Sequence, residues 1–394
     1  MKYCDDIGIR NPSFLPAFLP DETFYSLCAR FHNLSGNRLA ATTSHLLFGV
    51  ETAAMLHDFP SHLAAFQLRT ASKLGDVTSL ASTRTLLRFY SPYQPARRIN
   101  AGIDAMAGGG IDRLKFRLGL PSSRMGATHP LKACAKCIEE ELHRHGCAYW
   151  HLQQQHPVVW ICVKHNELLM RSTGKSRTRN KLQWILPHAL AQDEWTSLPE
   201  ILREKMPLLQ CLDEFARGAG DTSVPHLDPI VLRQSYLSGA RRWGWLTKQG
   251  SVRLKIVREA FWDQFIELSE IPEFNFLESV EGADGGFLAK LLRNPRAHLH
   301  PAKHLIVKSF LFESWRDFWG TYLDMAAASQ SVPLKPCNSP QENSKLGELI
   351  LMVRVGQMSL AQIAKSLDLP YDVARYWLKR AGVKYIPLTR RSTA

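Results

Sequence analysis

Two paired half-sites constrain this chain more than any other feature: Cys134-x-x-Cys137 and, further on, Cys162-x-x-His165. A two-residue gap lets a turn aim both side chains at one ion. Two such pairs supply three thiolates and one imidazole, the donor set of a tetrahedral zinc site. The 24 residues between the pairs are enough for a ribbon or a short helix that returns to the ion. Protein then fills all four positions, so the expected site is structural and not catalytic. A redox pair at Cys134 and Cys137, or four buried groups without metal, are the plainer alternatives. His143, His145, Cys147, His151 and His156 crowd the same segment without paired spacing. Any of them could replace a ligand, and His156 is expected to pack close by. Cys4, Cys28, Cys211 and Cys337 are isolated and read as ordinary thiols.

A metal reading requires reduced thiols. The start of the chain carries Asp5 and Asp6 and lacks the apolar core of a signal peptide. No apolar run reaches the ~18 residues that a membrane span needs. A cytoplasmic, nucleoid-associated protein is therefore expected, with its eight cysteines reduced. The 394 residues are 45% apolar, ample for packed cores in several domains. Lys and Arg total 49 against 36 Asp and Glu, a formal charge of +13. That excess favours a polyanionic partner, double-stranded DNA before a membrane surface.

The pattern along the chain is mainly α. Phe24, Leu27, Cys28 and Phe31 have helical spacing, 61–74 and 84–90 read as further helices, and three glycines at 108–110 break the pattern. Strand signals are few outside 158–163. The expected architecture is a multidomain helical protein with a zinc-binding ribbon and C-terminal helix-turn-helix modules. Its parts would be an N-terminal helical region over 1–130, a zinc-finger module over 131–170, and a basic helical region over 171–328. A Pro/Ser/Gln linker over 329–345 and a helix-turn-helix over 346–394 would follow.

In that last part Ser359 can cap a helix whose inner face is Leu360, Ile363, Ala364 and Leu367. Asp368 and Leu369 make the turn, with Asp368 where glycine is usual; Asp tolerates a left-handed backbone better than most residues. A second helix would bury Val373, Ala374, Trp377 and Leu378 and expose Arg375, Tyr376, Lys379 and Arg380 toward a DNA major groove. The alternative is an ordinary amphipathic helical hairpin. Two other stretches could follow a phosphate backbone. One carries Arg241, Arg242, Lys248, Arg253, Lys255 and Arg258 around Trp243 and Trp245; the other is the basic loop 171–181. His300 and His304 stand one helical turn apart without a third ligand, which favours packing or capping over metal. No phosphate-binding glycine loop, nucleophile elbow or spaced acidic set is present, so the chain is not read as an enzyme.

The order of LPDETFYSLCARFHNLSGN at 19–37, FPSHLAAF at 59–66, LLRFYSPY at 86–93, RLGLPSSR at 117–124 and the Cys/His block resembles the TniQ/TnsD family. RRWGWL at 241–246 and FLAKLLRNPRAHLHPAKHLIVKSFL at 287–311 echo its longer, TnsD-type members. This resemblance implies a protein that selects a transposon's insertion site, reads an attachment sequence in DNA and recruits an AAA+ ATPase regulator, which brings the transposase. It also implies an alternative, in which shorter TniQ members form dimers and link an RNA-guided CRISPR effector to the transposition machinery. In departure from some members, no second Cys-x-x-Cys ribbon follows His165, and the chain is shorter than the largest TnsD-type proteins.

Overall fold

The computed structural model describes residues 12, 14–125, 129–173, 182–282, 285–293, 299–331, 345, 347–352, 360–369, 374 and 378. It is mainly helical, and its contacts divide the chain into two units, 1–325 and 326–394. Among the described residues no helix is long and apolar enough to cross a membrane.

The first unit begins with α1 (Phe24–Leu34), started by Thr23, whose hydroxyl accepts from the Ser26 amide at 3.1 Å. The first eight residues of α1 are buried, so this is a core helix and not a surface stripe. Arg30 is held there by the Glu22 carboxylate at 2.7 Å. α2 (Ala40–Phe48), α3 (Leu63–Arg69), α4 (Val77–Arg84), α5 (Leu87–Tyr90), α6 (Ala96–Ala107) and α7 (Leu114–Arg117) follow. The helix expected over 61–74 is shorter than its pattern, because His62, Ala71 and Ser72 take left-handed φ on either side of it. The glycine run does end a helix: Gly108 caps α6.

Next come β1 (Lys132–Ala133), α8 (Ala135–His145), α9 (Leu152–Gln155), β2 (Ile161–Cys162), β3 (Glu167–Leu168), β4 (Met170–Ser172) and β5 (Trp195–Thr196). β2 and β3 form an antiparallel hairpin, while β1, β4 and β5 form a small sheet with β4 central. Helix thus makes up half of the stretch between the two half-sites, and only the second half-site sits on a hairpin.

The remainder is helical: α10 (Met206–Gly220), α11 (Pro229–Arg242), α12 (Leu254–Phe265), α13 (Gly286–Arg293), α14 (Pro301–Leu311) and α15 (Trp315–Ser331). α15 continues past residue 328, where the sequence pattern places a linker. Every residue of α14 is buried, with α10, α11 and α13 packed around it. His300 caps it by accepting from the Ala302 amide, and its Nε2 lies 3.0 Å from the Tyr90 hydroxyl. His304 Nδ1 meets the Tyr236 hydroxyl at 2.9 Å. Both histidines are therefore spent on packing and capping. Lys308 is fully buried; its Nζ donates to the Tyr93 hydroxyl at 2.8 Å and sits 3.9 Å from the centre of the Phe318 ring. Burial pushes its pKa well down.

Gly218 is where α10 meets Trp315: a Cβ there would lie 2.2 Å from the indole ring. Alanine favours a helix by about 1 kcal/mol over glycine, but overpacking costs ~1–3 kcal/mol. Trp315 is held by the hydrogen bond its backbone amide donates to Glu214 Oε1 at 2.9 Å and by stacking on Trp319. Gly218→Ala is therefore expected to destabilise, read as a lower urea midpoint at unchanged m-value.

In the second unit residues 347–352 are helical, followed by α16 (Leu360–Ser366). α16 ends with Asp368 at φ 51°, and the Leu369 amide reaches back to the Ala364 carbonyl at 2.9 Å. This is a Schellman termination with Asp in the position that usually needs glycine. Leu349, Leu360, Ile363, Ala364, Leu367, Ala374 and Leu378 form its core. The inner face expected for α16 is the buried face. Ser359, Val373 and Trp377 lie outside the described residues.

Candidate metal centre and nucleic-acid interface

Cys134 is the residue before α8 and Cys137 lies in its first turn, where thiolates face the positive end of the helix dipole. Cys162 closes β2, and His165 stands in the turn to β3, whose last residue before the strand, Asn166, has φ 52°. His165 Nδ1 lies 3.5 Å from Cys134 Sγ, 3.4 Å from Cys137 Sγ and 3.6 Å from Cys162 Sγ. Cys137 Sγ and Cys162 Sγ are 3.7 Å apart. A tetrahedral ion with bonds of ~2.3 Å to sulfur and ~2.1 Å to nitrogen sets sulfurs ~3.8 Å apart and sulfur–nitrogen pairs ~3.5 Å apart. These distances fit such a site, and the four donor atoms all lie within 4.8 Å of one another, a group that could hold a metal ion. Hydrogen bonding to Cys134 pushes the Cys137 thiol up and pulls the Cys162 thiol down.

Around this cluster, His165 Nε2 meets Glu140 Oε1 at 2.8 Å, which fixes the ring with Nδ1 toward the sulfurs. Lys164 pairs with the same carboxylate, and these two contacts hold Glu140 down to about 2. Gln154 Nε2 donates to Cys137 Sγ at 3.7 Å. A second group, Cys137, Glu141 and His151, also brings its donor atoms within 4.8 Å. There Glu141 and His151 are engaged with each other at 2.5 Å. His143 and His145 point outward on α8, and Cys147 is half-buried outside the cluster. His156 is buried against Phe89. Cys28 is buried and Cys211 half-buried, both as free thiols, while Cys4 and Cys337 lie outside the described residues.

The module is fastened to α1. The Thr23 amide donates to the Trp150 carbonyl at 3.0 Å, and the Trp150 amide donates to Ser26 Oγ at 2.9 Å. Trp150 and Trp160 are both fully buried.

The basic stretch after α11 forms a tight hairpin. Leu246 bridges Val252, and the Thr247 amide donates to Ser251 O at 2.8 Å with Gly250 at φ 80°. Lys248 lies at the tip, Arg253 at the base and Lys255 in the first turn of α12, all exposed. Arg241 is exposed too. Arg242 is committed elsewhere, gripping Asp317 with two bonds of 2.8 and 3.0 Å. Arg258 donates to the Gly282 carbonyl. Arg375, Tyr376, Lys379 and Arg380 lie outside the described residues, as does the loop 174–181.

Residues 13–169 match the family described as TniQ, and residues 213–343 match that described as Tn7-like transposition protein D. The transposon Tn7 transposition protein TnsD of Escherichia coli is 24% identical over 342 residues, which is 84% of this chain and 64% of that protein. The chain belongs to the TniQ/TnsD family. In this TniQ/TnsD chain the four-residue cluster falls inside the first matched segment, and the basic hairpin inside the second. Sequence reasoning missed Glu140 and Gln154, which steady the cluster. Glu140 sits in a run of three glutamates on α8, and nothing in the run marks which one turns toward His165.

Proposed function

We propose that this chain is a non-catalytic, DNA-binding adaptor that selects a transposon's insertion site. The reading is carried by the order of the two family matches along one chain, TniQ first and Tn7-like transposition protein D second. Cys134, Cys137, Cys162 and His165 bind one structural zinc, since no coordination position is left for substrate. The metal module is tied to α1 through Trp150 and makes a rigid frame. Arg241, Lys248, Arg253 and Lys255 contact phosphates, with Arg242 holding the corner beside them. The C-terminal unit acts as a helix-turn-helix, with Arg375, Tyr376, Lys379 and Arg380 facing the groove. An AAA+ ATPase regulator is the protein recruited to the bound site.

A gel shift of the whole protein against duplexes flanking its own transposon end, over a salt series, tests this. One preferred fragment and a steep salt dependence are expected. Replacing Lys248, Arg253 and Lys255 with alanine is expected to flatten the log–log salt slope by about 2.7, at ~0.9 per lost phosphate contact. Equal, weak binding to every fragment would replace this reading with that of an adaptor that depends on an RNA-guided effector.

A further inference from the structure

Trp243, in the basic RRWGWL stretch, is not used by the DNA reading. Its indole is 56% exposed, high for so large an apolar ring. One side stacks on Trp245 at 5.6 Å, and Trp245 stacks in turn on Phe310 at 4.9 Å. The indole Nε1 donates to the Leu311 carbonyl at 3.3 Å. The ring is therefore a fixed wall and not a loose side chain. It lines a pocket of about 200 Å³ with Arg242, Leu311, Glu313 and Asp317.

The charges in this pocket have a definite order. Both Asp317 oxygens are taken by Arg242, whose guanidinium also lies 5.0 Å from the centre of the Phe312 ring. Glu313 also bears on that pair, its charge adding to that of Asp317 in raising the Arg242 pKa. The exposed Glu313 carboxylate makes no ion pair among the described residues. What the pocket offers an incoming group is an aromatic face and an exposed carboxylate, and its two acids against one arginine are a local reversal of sign on a chain of net charge +13. A cation over an indole beside a carboxylate is favoured by both features, whereas a phosphate would meet repulsion from Glu313.

We propose that the Trp243 pocket binds a basic side chain, arginine or lysine, presented by a protein partner of this chain. This is independent of the DNA reading: it places a protein contact beside the basic hairpin. The free face of Trp243 takes the cation, and Glu313 supplies its counter-charge.

The test uses the whole protein with ¹⁵N-labelled tryptophan, the Trp243 indole signal being the one lost in Trp243→Phe. The probes are the blocked tripeptide acetyl-Gly-Arg-Gly-amide, its citrulline analogue, and dAMP. Saturable movement of the Trp243 signal with the arginine peptide and not with citrulline is expected. Glu313→Gln, which keeps the shape of the side chain, is expected to weaken that binding about tenfold. Three results would overturn the proposal: no movement with the arginine peptide, unchanged affinity in Glu313→Gln, or stronger movement with dAMP, which would make the pocket a nucleobase platform. None of these bears on the gel-shift outcome, so the two readings fail separately.

Discussion

Cys137→Ser is expected to yield protein without stoichiometric zinc and with the 132–172 module unfolded. Cys137 is 5% exposed and meets both Cys162 and His165. The strands of the module are two or three residues long, too short for sheets to be stable unaided. Structural zinc contributes about 10–16 kcal/mol in comparable small modules. A whole domain is stable by only ~5–15 kcal/mol. The metal is thus the largest single stabilising term proposed for this region. Elemental analysis, tryptophan emission and thermal unfolding read the outcome together. Zinc is expected to vanish, emission to shift to the red as Trp150 and Trp160 reach water, and the protein to aggregate or melt at a much lower temperature. His143→Ser, on the exposed side of the same helix, is expected to change none of these. Wild-type metal content and melting in Cys137→Ser would sink the assignment.

Stability is also expected to fall steeply as pH drops from about 7 to about 5. Burial holds His129 and His156 down to about 3, against an unfolded value of ~6.5. Above that unfolded value both states carry neutral rings and nothing is lost. Below it the unfolded chain takes up protons that the native fold refuses, so stability declines until pH approaches the folded value. At pH 5 each ring costs about 2 kcal/mol, roughly 4 kcal/mol for the pair. His300 and His304 are shifted the same way by burial. The hydrogen bonds explain why a further proton fits badly. The Ala302 amide donates to His300 Nδ1, so a neutral His300 carries its proton on Nε2 and donates to the Tyr90 oxygen at 3.0 Å. The Tyr90 hydroxyl then donates to His129 Nε2 at 2.7 Å. Protonating His129 Nε2 would set two donors against each other. Urea midpoints at the two pH values check this, with zinc content followed in parallel because acid also releases metal. His129→Gln is expected to flatten the acid slope, and an unchanged midpoint between the two pH values would refute the account.

The basic charge shows how far composition reaches and where it stops. Counting residues gives a formal +13, but Lys132, Lys303 and Lys308 are buried, and burial lowers all three, Lys132 to about 7 and Lys303 to about 8. Arg242 is bound to Asp317. These groups hold the fold and do not attract a polyanion. What remains for DNA is the narrower set on the hairpin and α12. The count could not separate the two, because a lysine in an aromatic surround and a lysine in water are the same letter.

The half-site spacing marked Cys134 with Cys137 and Cys162 with His165 as two matched pairs, since a two-residue gap is a local constraint that any fold of this segment must respect; packing brought the pairs together. Local periodicity likewise marked α1 and the inner face of α16, and the suitability of Asp368 for a left-handed turn followed from its short side chain. Long-range packing decided the rest. It chose Glu140 from three adjacent glutamates, buried every residue of α14, turned His300 and His304 into caps and bridges, and set Trp243 against Glu313 across 70 positions of sequence. Such contacts depend on which helices meet, and that is settled by burial summed over the whole unit, not by spacing within any one stretch.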